Sequence, residues 1–398
     1  MLAFVFAPFF IALLIFVFIR TIKHIKTFNI KGIEIAYYVI GFVFFGGICC
    51  IITGFLLPTG LELKRFFTRI GYYWLGLVLY FFISLGISLI IRSIMWLILK
   101  NNSYDKKIAR NCSMIFVVVF TTIMSIYGIS NAHKLRITNY DVEINKKSSI
   151  KDMNIVLVAD LHIGYNDSLE EMVDMVNKVN ELDPDIVIVA GDIFDNEYDA
   201  IDNPDEITKV LSSIKAKYGK YAVYGNHDID EKILLGFTFS WIKGDKNIYH
   251  ESEEMIDFIK KSDFTLLSDS YEIIEDSICI YGRPDKSRVK IGAEQRKTPS
   301  EISKVLNKDD VLICIDHQPS ELEELSNAGF DLDLSGHTHN GQIWPGTLTI
   351  NLAWDNAYGM KKINDMYSIV TSGVGLFGIN MRTGCYPEIV NINLHTKN

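Results

Sequence analysis

The sequence predicts an N-terminal all-α transmembrane region of four helices followed by an α/β domain whose sheets are covered by helices. Three observations carry this. Apolar runs of membrane-crossing length fill the first 132 residues and stop there. Beyond Asp152, short β-branched apolar runs alternate with amphipathic stretches. The charge changes sign at the same boundary. Residues 1–132 hold twelve Lys or Arg against three Asp or Glu, +9, and the rest of the chain holds 27 against 45, −18, within totals of 39 and 48. A domain this acidic repels a nucleic-acid backbone, so no nucleic-acid partner is expected, and it needs local positive charge or bound cations to attract an anion.

Four stretches are long enough for the roughly 20 residues of helix that a bilayer core requires: Leu2 to Ile19, Ile35 to Leu57, Tyr72 to Leu99 and Cys112 to Ile129. A run of this kind can also be a buried core helix, but four in succession with basic connectors make an implausible soluble core. No positive residue precedes the first run and no small-residue cleavage site comes after it, so it reads as a retained helix rather than a cleaved signal. The chain thus divides into a transmembrane helical anchor, 1–132, and a second domain, 133–398, with the bilayer itself as a partner. Arg20, Lys23, Lys26 and Lys31 in the first loop and Lys100, Lys106, Lys107 and Arg110 in the third outnumber Lys64, Arg65 and Arg69 in the second, eight against three. Short-loop charge of this sense predicts a multi-pass protein of the cell membrane with both termini and the acidic domain outside the cytoplasm.

Six cysteines, Cys49, Cys50, Cys112, Cys279, Cys314 and Cys385, form no C-x-x-C pair. They read as small buried hydrophobes rather than a disulfide framework or a thiolate metal site.

In the second half, Asn154 to Val158 reads as a strand, Leu169 to Leu182 as an amphipathic helix and Ile186 to Val189 as the next strand. Tyr221 to Tyr224, Val311 to Ile315 and Leu332 to Leu334 repeat the theme. Runs at Leu348 to Ile350, Tyr367 to Thr371 and Ile389 to Leu394 lack obvious helices between them and predict a second, more antiparallel sheet.

Ligands in open α/β sheets bind beyond the carboxyl ends of strands, so the residues just past each strand carry the most information about function. The ends read Asp160-Leu161-His162, Gly191-Asp192-Ile193-Phe194-Asp195, Gly225-Asn226-His227-Asp228, Asp316-His317 and Gly336-His337-Thr338-His339. Singly, each has a bland explanation: an Asp caps a helix, Gly-Asn makes a turn, and a lone His is more often structural than a ligand. Jointly they weigh differently, because five of the nine histidines fall at these ends. Imidazole with carboxylate is the ligand set of divalent transition metals.

The ordered series D-x-H, G-D-x-x-D, G-N-H-D, H and G-H-x-H resembles the calcineurin-like metallophosphoesterase family with no member missing. Asp316-His-Gln-Pro319 and Ser335-Gly-His-Thr-His339, with Gly341-Gln342 after them, are similar to its bacterial membrane-associated branch, which usually has Gly where this chain has Asn340. The resemblance covers about Asn154 to Leu394. It implies a two-sheet sandwich flanked by helices with two divalent metal ions at one end, Mn or Fe first, with Zn, Co or Mg also compatible. It implies that Asp160, His162 and His339 hold one ion, Asn226, His317 and His337 the other, and that Asp192 bridges them. His227 would be the general acid, oriented by Asp195, while Asp228 shapes its loop. Asn340 and Gln342 read equally well as contacts beside the site or as turn formers, and Ile229 to His250, with Phe237, Phe239 and Trp241, as a packed insertion or a substrate cap.

The function so implied is a membrane-anchored phosphoesterase that cleaves a phosphate mono- or diester with a metal-bridging hydroxide, on a lipid-linked or envelope substrate. Two alternatives are a cytoplasm-facing pyrophosphatase of a nucleotide-activated lipid precursor and a catalytically inactive metal-binding scaffold.

Overall fold

The computed structural model describes residues 34–98, 106–231, 251–290 and 295–397, with isolated residues between 12 and 23 and between 233 and 238. Three helices lead: α1 (Glu34–Leu56), α2 (Glu62–Ile98) and α3 (Lys106–Ala132). Among the described residues, α2 and the Ile108–Ala132 part of α3 are long and apolar enough to cross a membrane, and α1 contributes a shorter apolar stretch, Gly41–Leu56. Two of the four expected spans therefore fall on helices of spanning length, Ile35 to Leu57 falls on α1, and Leu2 to Ile19 lies largely outside the described residues.

Much of the apolar surface of α2 and α3 faces outward. Leu89, Ile94, Leu97 and Ile98 on α2 and Ile115, Val118, Ile123 and Ile126 on α3 are exposed, which is the reverse of a soluble protein's core helix. The face that α2 turns to α3 is hydroxylic: Ser84 meets Thr121 at 3.1 Å and Ser88 meets Ser113. Such pairs satisfy polar groups buried between packed helices.

The second half is two six-stranded sheets packed face to face. The first runs β1 (Arg136–Lys147), β14 (Glu388–Lys397), β2 (Asp152–Val158), β3 (Ile186–Ala190), β4 (Lys220–Val223), β7 (Thr265–Leu266). The second runs β12 (Gly359–Ile363), β13 (Met366–Val370), β11 (Leu332–Ser335), β10 (Val311–Ile315), β9 (Ile278–Gly282), β8 (Ser270–Ile274). A two-stranded hairpin, β5 (Ile233–Leu234) with β6 (Phe237–Thr238), stands apart. Phe239 and Trp241 of the expected insertion lie outside the described residues.

Period-two alternation explains why the central strands read as unbroken apolar runs. Ile155 and Leu157 of β2 and Ile186 and Ile188 of β3 point between the sheets, where they meet Ile313 and Leu334. Val156, Val158, Val187 and Val189 point the other way, against α4 (Leu169–Glu181), α5 (Pro204–Ser212) and α6 (Glu253–Lys261). Ser168 caps α4, accepting from Glu171 N, and Met172, Met175, Val176 and Val179 form its buried face. The second sheet is covered in the same way by Leu322 and Leu325 of α7 (Leu322–Ala328).

Two expectations need correction. Leu348 to Ile350 is not a strand: Gly346–Thr349 and Ile350–Leu352 are short helical turns, and with no neighbouring strand to pair with, its β-branched residues do not decide its conformation. Nor do the runs at Tyr367 to Thr371 and Ile389 to Leu394 form a sheet of their own. β13 pairs parallel with β11, and β14 enters the first sheet, parallel to β1 and antiparallel to β2. β2, β3 and β4 are mutually parallel, as are β9, β10 and β11, so the ends that lead into polar residues open at one edge of the sandwich.

Candidate metal centre

At that edge, two groups of ligand atoms converge, each with its members within 4.8 Å of one another: Asp160, His162 and His339, then Asp192, His317 and His337. In the first, His162 Nε2 and His339 Nε2 lie 3.0 Å apart and Asp160 Oδ1 is 3.7 Å from His339 Nε2. In the second, His317 Nε2 is 3.1 Å from Asp192 Oδ2, 3.2 Å from His337 Nδ1 and 3.2 Å from Asn226 Oδ1. The Asp192 carboxylate stands between the groups, its Oδ2 also 3.9 Å from His162 Nε2. The structure thus brings together all seven residues singled out as metal ligands.

The backbone is bent to achieve this. Asp160, His162, Asp192, His337 and His339 have φ of 52°, 45°, 50°, 70° and 48°, a left-handed region that costs a non-glycine residue about 1 kcal/mol or more. Five such residues meet at this one cleft. Two motif glycines are required sterically, since a Cβ on Gly225 would lie 2.2 Å from Asp192 Oδ1 and one on Gly336 2.6 Å from Asp160 Oδ2.

The donor set fits divalent ions on its own chemistry. His317 Nδ1 donates to Ala190 O at 2.9 Å, which aims Nε2 at the cleft, and although burial opposes its protonation, Asp192, Asp160 and Asp285 outweigh it and raise its pKa well above the ordinary value. Burial pushes His337 down to about 3, helped by His317, and holds His339 well below its ordinary value, helped by His162 and Arg382, so both rings are neutral donors. Burial raises the Asp160 carboxyl to about 6. Burial also opposes ionisation of Asp192, but His317, His227 and His162 outweigh it and hold that carboxyl well below the usual range.

His227 is seated differently from expectation. Its Nδ1 meets Asn196 Oδ1 at 2.5 Å, and Asn196 Nδ2 donates to Ile229 O at 3.1 Å, which fixes the amide's orientation. Asp195 turns instead to His162, its Oδ1 3.6 Å from Nδ1. One residue decides this: Asp195 and Asn196 are neighbours on an irregular turn, and only Asn196 reaches the His227 ring. Burial pushes the His227 pKa down. Asp228 accepts from Phe194 N at 2.8 Å and Gly225 N at 2.6 Å and holds the loop. Gln342 donates to Phe377 O and Ile379 O and accepts from Phe377 N, pinning the loop whose Phe377 ring lies 4.9 Å from the His227 ring and 5.7 Å from that of His162.

Sequence reasoning missed the contribution of the helices. Lys64 on α2 is buried in an ion pair with Glu197 at 2.7 Å, two residues beyond Asp195, and Tyr165 donates to the same carboxylate. Arg65 donates to Gly164 O and Ala200 O. On α3, Asn131 Nδ2 donates to Arg382 O and Cys385 O at 3.1 and 2.7 Å, and Gly128 O accepts from Arg382 N at 3.0 Å. The fully buried Arg382 guanidinium lies 3.3 Å from His339 Nδ1 and donates to the carbonyls of Ser372, Gly373 and Gly375. A basic residue at the start of an apolar helix is the only sequence signal for this, and it reads equally well as topology charge.

The model of the family described as calcineurin-like phosphoesterase matches residues 153–341. A transmembrane protein with metallophosphoesterase domain from Danio rerio is 26% identical over 70% of this chain, which spans 62% of that relative's length. Uncharacterized metallophosphoesterases of Campylobacter jejuni and Aquifex aeolicus are each 27% identical, over 71% and 69% of this chain and 69% and 97% of their own. The matched segment contains all seven converging residues, so residues 153–341 match the calcineurin-like phosphoesterase domain and follow N-terminal apolar helices.

Proposed function

We propose that this chain is a membrane-anchored, dinuclear metal-dependent phosphoesterase, in which residues 1–132 form a multi-pass helical anchor and 133–398 the catalytic domain. The observation that carries the reading is the pair of facing ligand groups held by strained strand ends, with Asp192 between them. Asp160, His162 and His339 would hold one ion, Asn226, His317 and His337 the other, and Asp192 both. When bound, such a pair supplies Lewis acidity that makes water reactive near neutral pH and draws charge from the phosphoryl oxygens. Nitrogen and oxygen donors without thiolate suit Mn or Fe. Neutral imidazole and amide donors leave the cleft positive once loaded, which lets an acidic domain accept an anionic ester.

His227 supplies the proton to the leaving oxygen. Asn196 Oδ1 fixes the proton on Nδ1, so Nε2 is the atom that gives and takes. Asp195 steadies His162 rather than His227.

The test uses the full chain in detergent with an aryl phosphate ester. Turnover is expected to require added Mn, to stop on chelation and to return when Mn is restored. Metal analysis finding fewer than one ion per folded chain at saturating Mn would overturn the reading.

The substrate suggested by an anchored cleft is lipid-linked. Lys64 and Arg65, in the first turn of α2, bond to the catalytic domain, so the loop between α1 and α2 and the domain share one side. With the denser basic charge in the other loops, that side is outside the cytoplasm. Protease added to intact cells should accordingly remove an epitope fused after Asn398 and spare a cytoplasmic control; an epitope protected until permeabilisation would support the nucleotide-precursor alternative instead.

A further inference from the structure

The segment just past His339 has an unusual surface. Asn340 to Trp354 contains no Asp, Glu, Lys or Arg, in a half of the chain that otherwise carries 27 basic and 45 acidic residues. Within it Leu352 is 88% and Leu348 66% exposed, the highest values for any large hydrophobic residue among the described residues of that half. They lie four residues apart on consecutive helical turns, so they project from one side. Burial of a leucine is worth a few kcal/mol, so leaving two of them in water is a cost with no return unless something covers them.

The neighbouring contacts say what covers them. The hydrogen bonds that tie the domain to α2 begin at Lys64 and Arg65 and end at Tyr80, whose hydroxyl donates to Trp344 O at 3.3 Å and meets Thr383. A Cβ on Gly76, one turn earlier, would lie 2.5 Å from Met381 Sδ, so the domain is in close contact there. Beyond Tyr80 the partners of α2 are on α3, at Ser84 and Ser88, and from Leu89 its apolar side chains are exposed. From Tyr80 to Ile98 is about 27 Å of helix, close to the roughly 30 Å of a bilayer core. The buried Tyr80 and the partly exposed Trp344 therefore stand at the level where the bilayer surface begins, the depth at which exposed Trp rings collect. At the other end of the segment, the Trp354 ring lies 5.3 Å from that of the half-buried His337.

We propose that Trp344 to Trp354 is a membrane-seating wedge: Leu348 and Leu352 enter the bilayer surface beside α2 and hold the metal cleft against the leaflet, so that the phosphate ester is drawn from a lipid lying in it. This rests on the phosphoesterase reading above and adds the source of the substrate. The occupant is lipid rather than a second copy of the chain because Trp344, four residues before Leu348, is bonded to Tyr80 on the same helix whose apolar side chains become exposed from Leu89 onward.

The full chain bearing Leu352→Cys, with Cys49, Cys50 and Cys112 replaced by Ala, is labelled with an environment-sensitive fluorophore and reconstituted in phosphatidylcholine–phosphatidylglycerol nanodiscs. Blue-shifted emission quenched by nitroxide lipids and spared by aqueous iodide is the expected result. Emission from water, quenched by iodide, overturns the wedge, and so does a label shielded from both quenchers, which would mean a protein neighbour. A functional arm compares ethyl and hexadecyl 4-nitrophenyl phosphate, which share a leaving group and differ in the tail. The Leu348→Ser, Leu352→Ser protein should lose at least about tenfold in the ratio of hexadecyl to ethyl turnover, the scale of two apolar side chains withdrawn from the interface, and an unchanged ratio would also overturn it. Failure of all Mn-dependent ester hydrolysis would sink the phosphoesterase reading itself, while the label still reports on the wedge.

Discussion

A chain trimmed to residues 133–398 is expected to hydrolyse an aryl phosphate at least about tenfold more slowly than the full chain, even where it stays soluble and keeps its sheets. The trimmed protein loses what holds the loop of Phe377 and Arg382. Asn131 no longer donates to Arg382 O and Cys385 O, Gly128 no longer accepts from Arg382 N, and Tyr80 no longer meets Thr383. Each bond contributes about 1 kcal/mol net, so three or four together shift the loop's order by roughly two powers of ten. Arg382 joins that loop to His339, which makes the loss felt at that ring. Hydrogen exchange across 373–385 and the turnover number should change together. Asn131→Ala in the full chain gives a milder version, since it keeps the helices and removes only two donated bonds. A trimmed domain with full rate and unchanged protection would show that the helices are a tether and nothing more.

This dependence was hidden in the sequence for a physical reason. A split at residue 132 comes from hydropathy and charge, which report what a segment prefers to be surrounded by, and both change sharply there. The contacts that cross the split are made by Lys64, Arg65, Tyr80, Gly128 and Asn131, ordinary residues whose partners are 99 to 303 positions away. No local pattern encodes such a pairing. The convergence of the strand-end residues was legible for the opposite reason. Parallel strands leave their carboxyl ends at one edge, so Asp160, Asp192, Asn226, His317 and His337 can be assigned to one crevice from strand order alone. The choice between Asp195 and Asn196 for His227 was not legible, because adjacent residues on an irregular turn differ only in the direction their side chains take. The edges of the sheets were hard to read too. β1 shows mixed burial along its length and β8 is largely exposed, so neither carries the unbroken apolar run that marks the central strands.

Asp192→Asn and His227→Ala should separate holding metal from moving a proton. The asparagine keeps the shape of Asp192 and can keep accepting from His227 N, now 2.8 Å from Oδ1. It removes the one negative charge that stands between the two ligand groups, 3.1 Å from His317 Nε2 and 3.9 Å from His162 Nε2. Both ion sites should weaken together, and turnover should fall by on the order of 10³ or more, the scale of losing a preorganised charge in a water-poor site. His227→Ala removes no donor atom from either group, since its ring bonds to Asn196. Its metal content should stay near two ions per chain while the rate falls by roughly 10² to 10⁴, less for esters whose leaving group needs no proton. Metal analysis beside kinetics on aryl and alkyl esters distinguishes the two patterns. Equal metal loss in both variants would take His227 out of the acid role and make it part of the ligand frame.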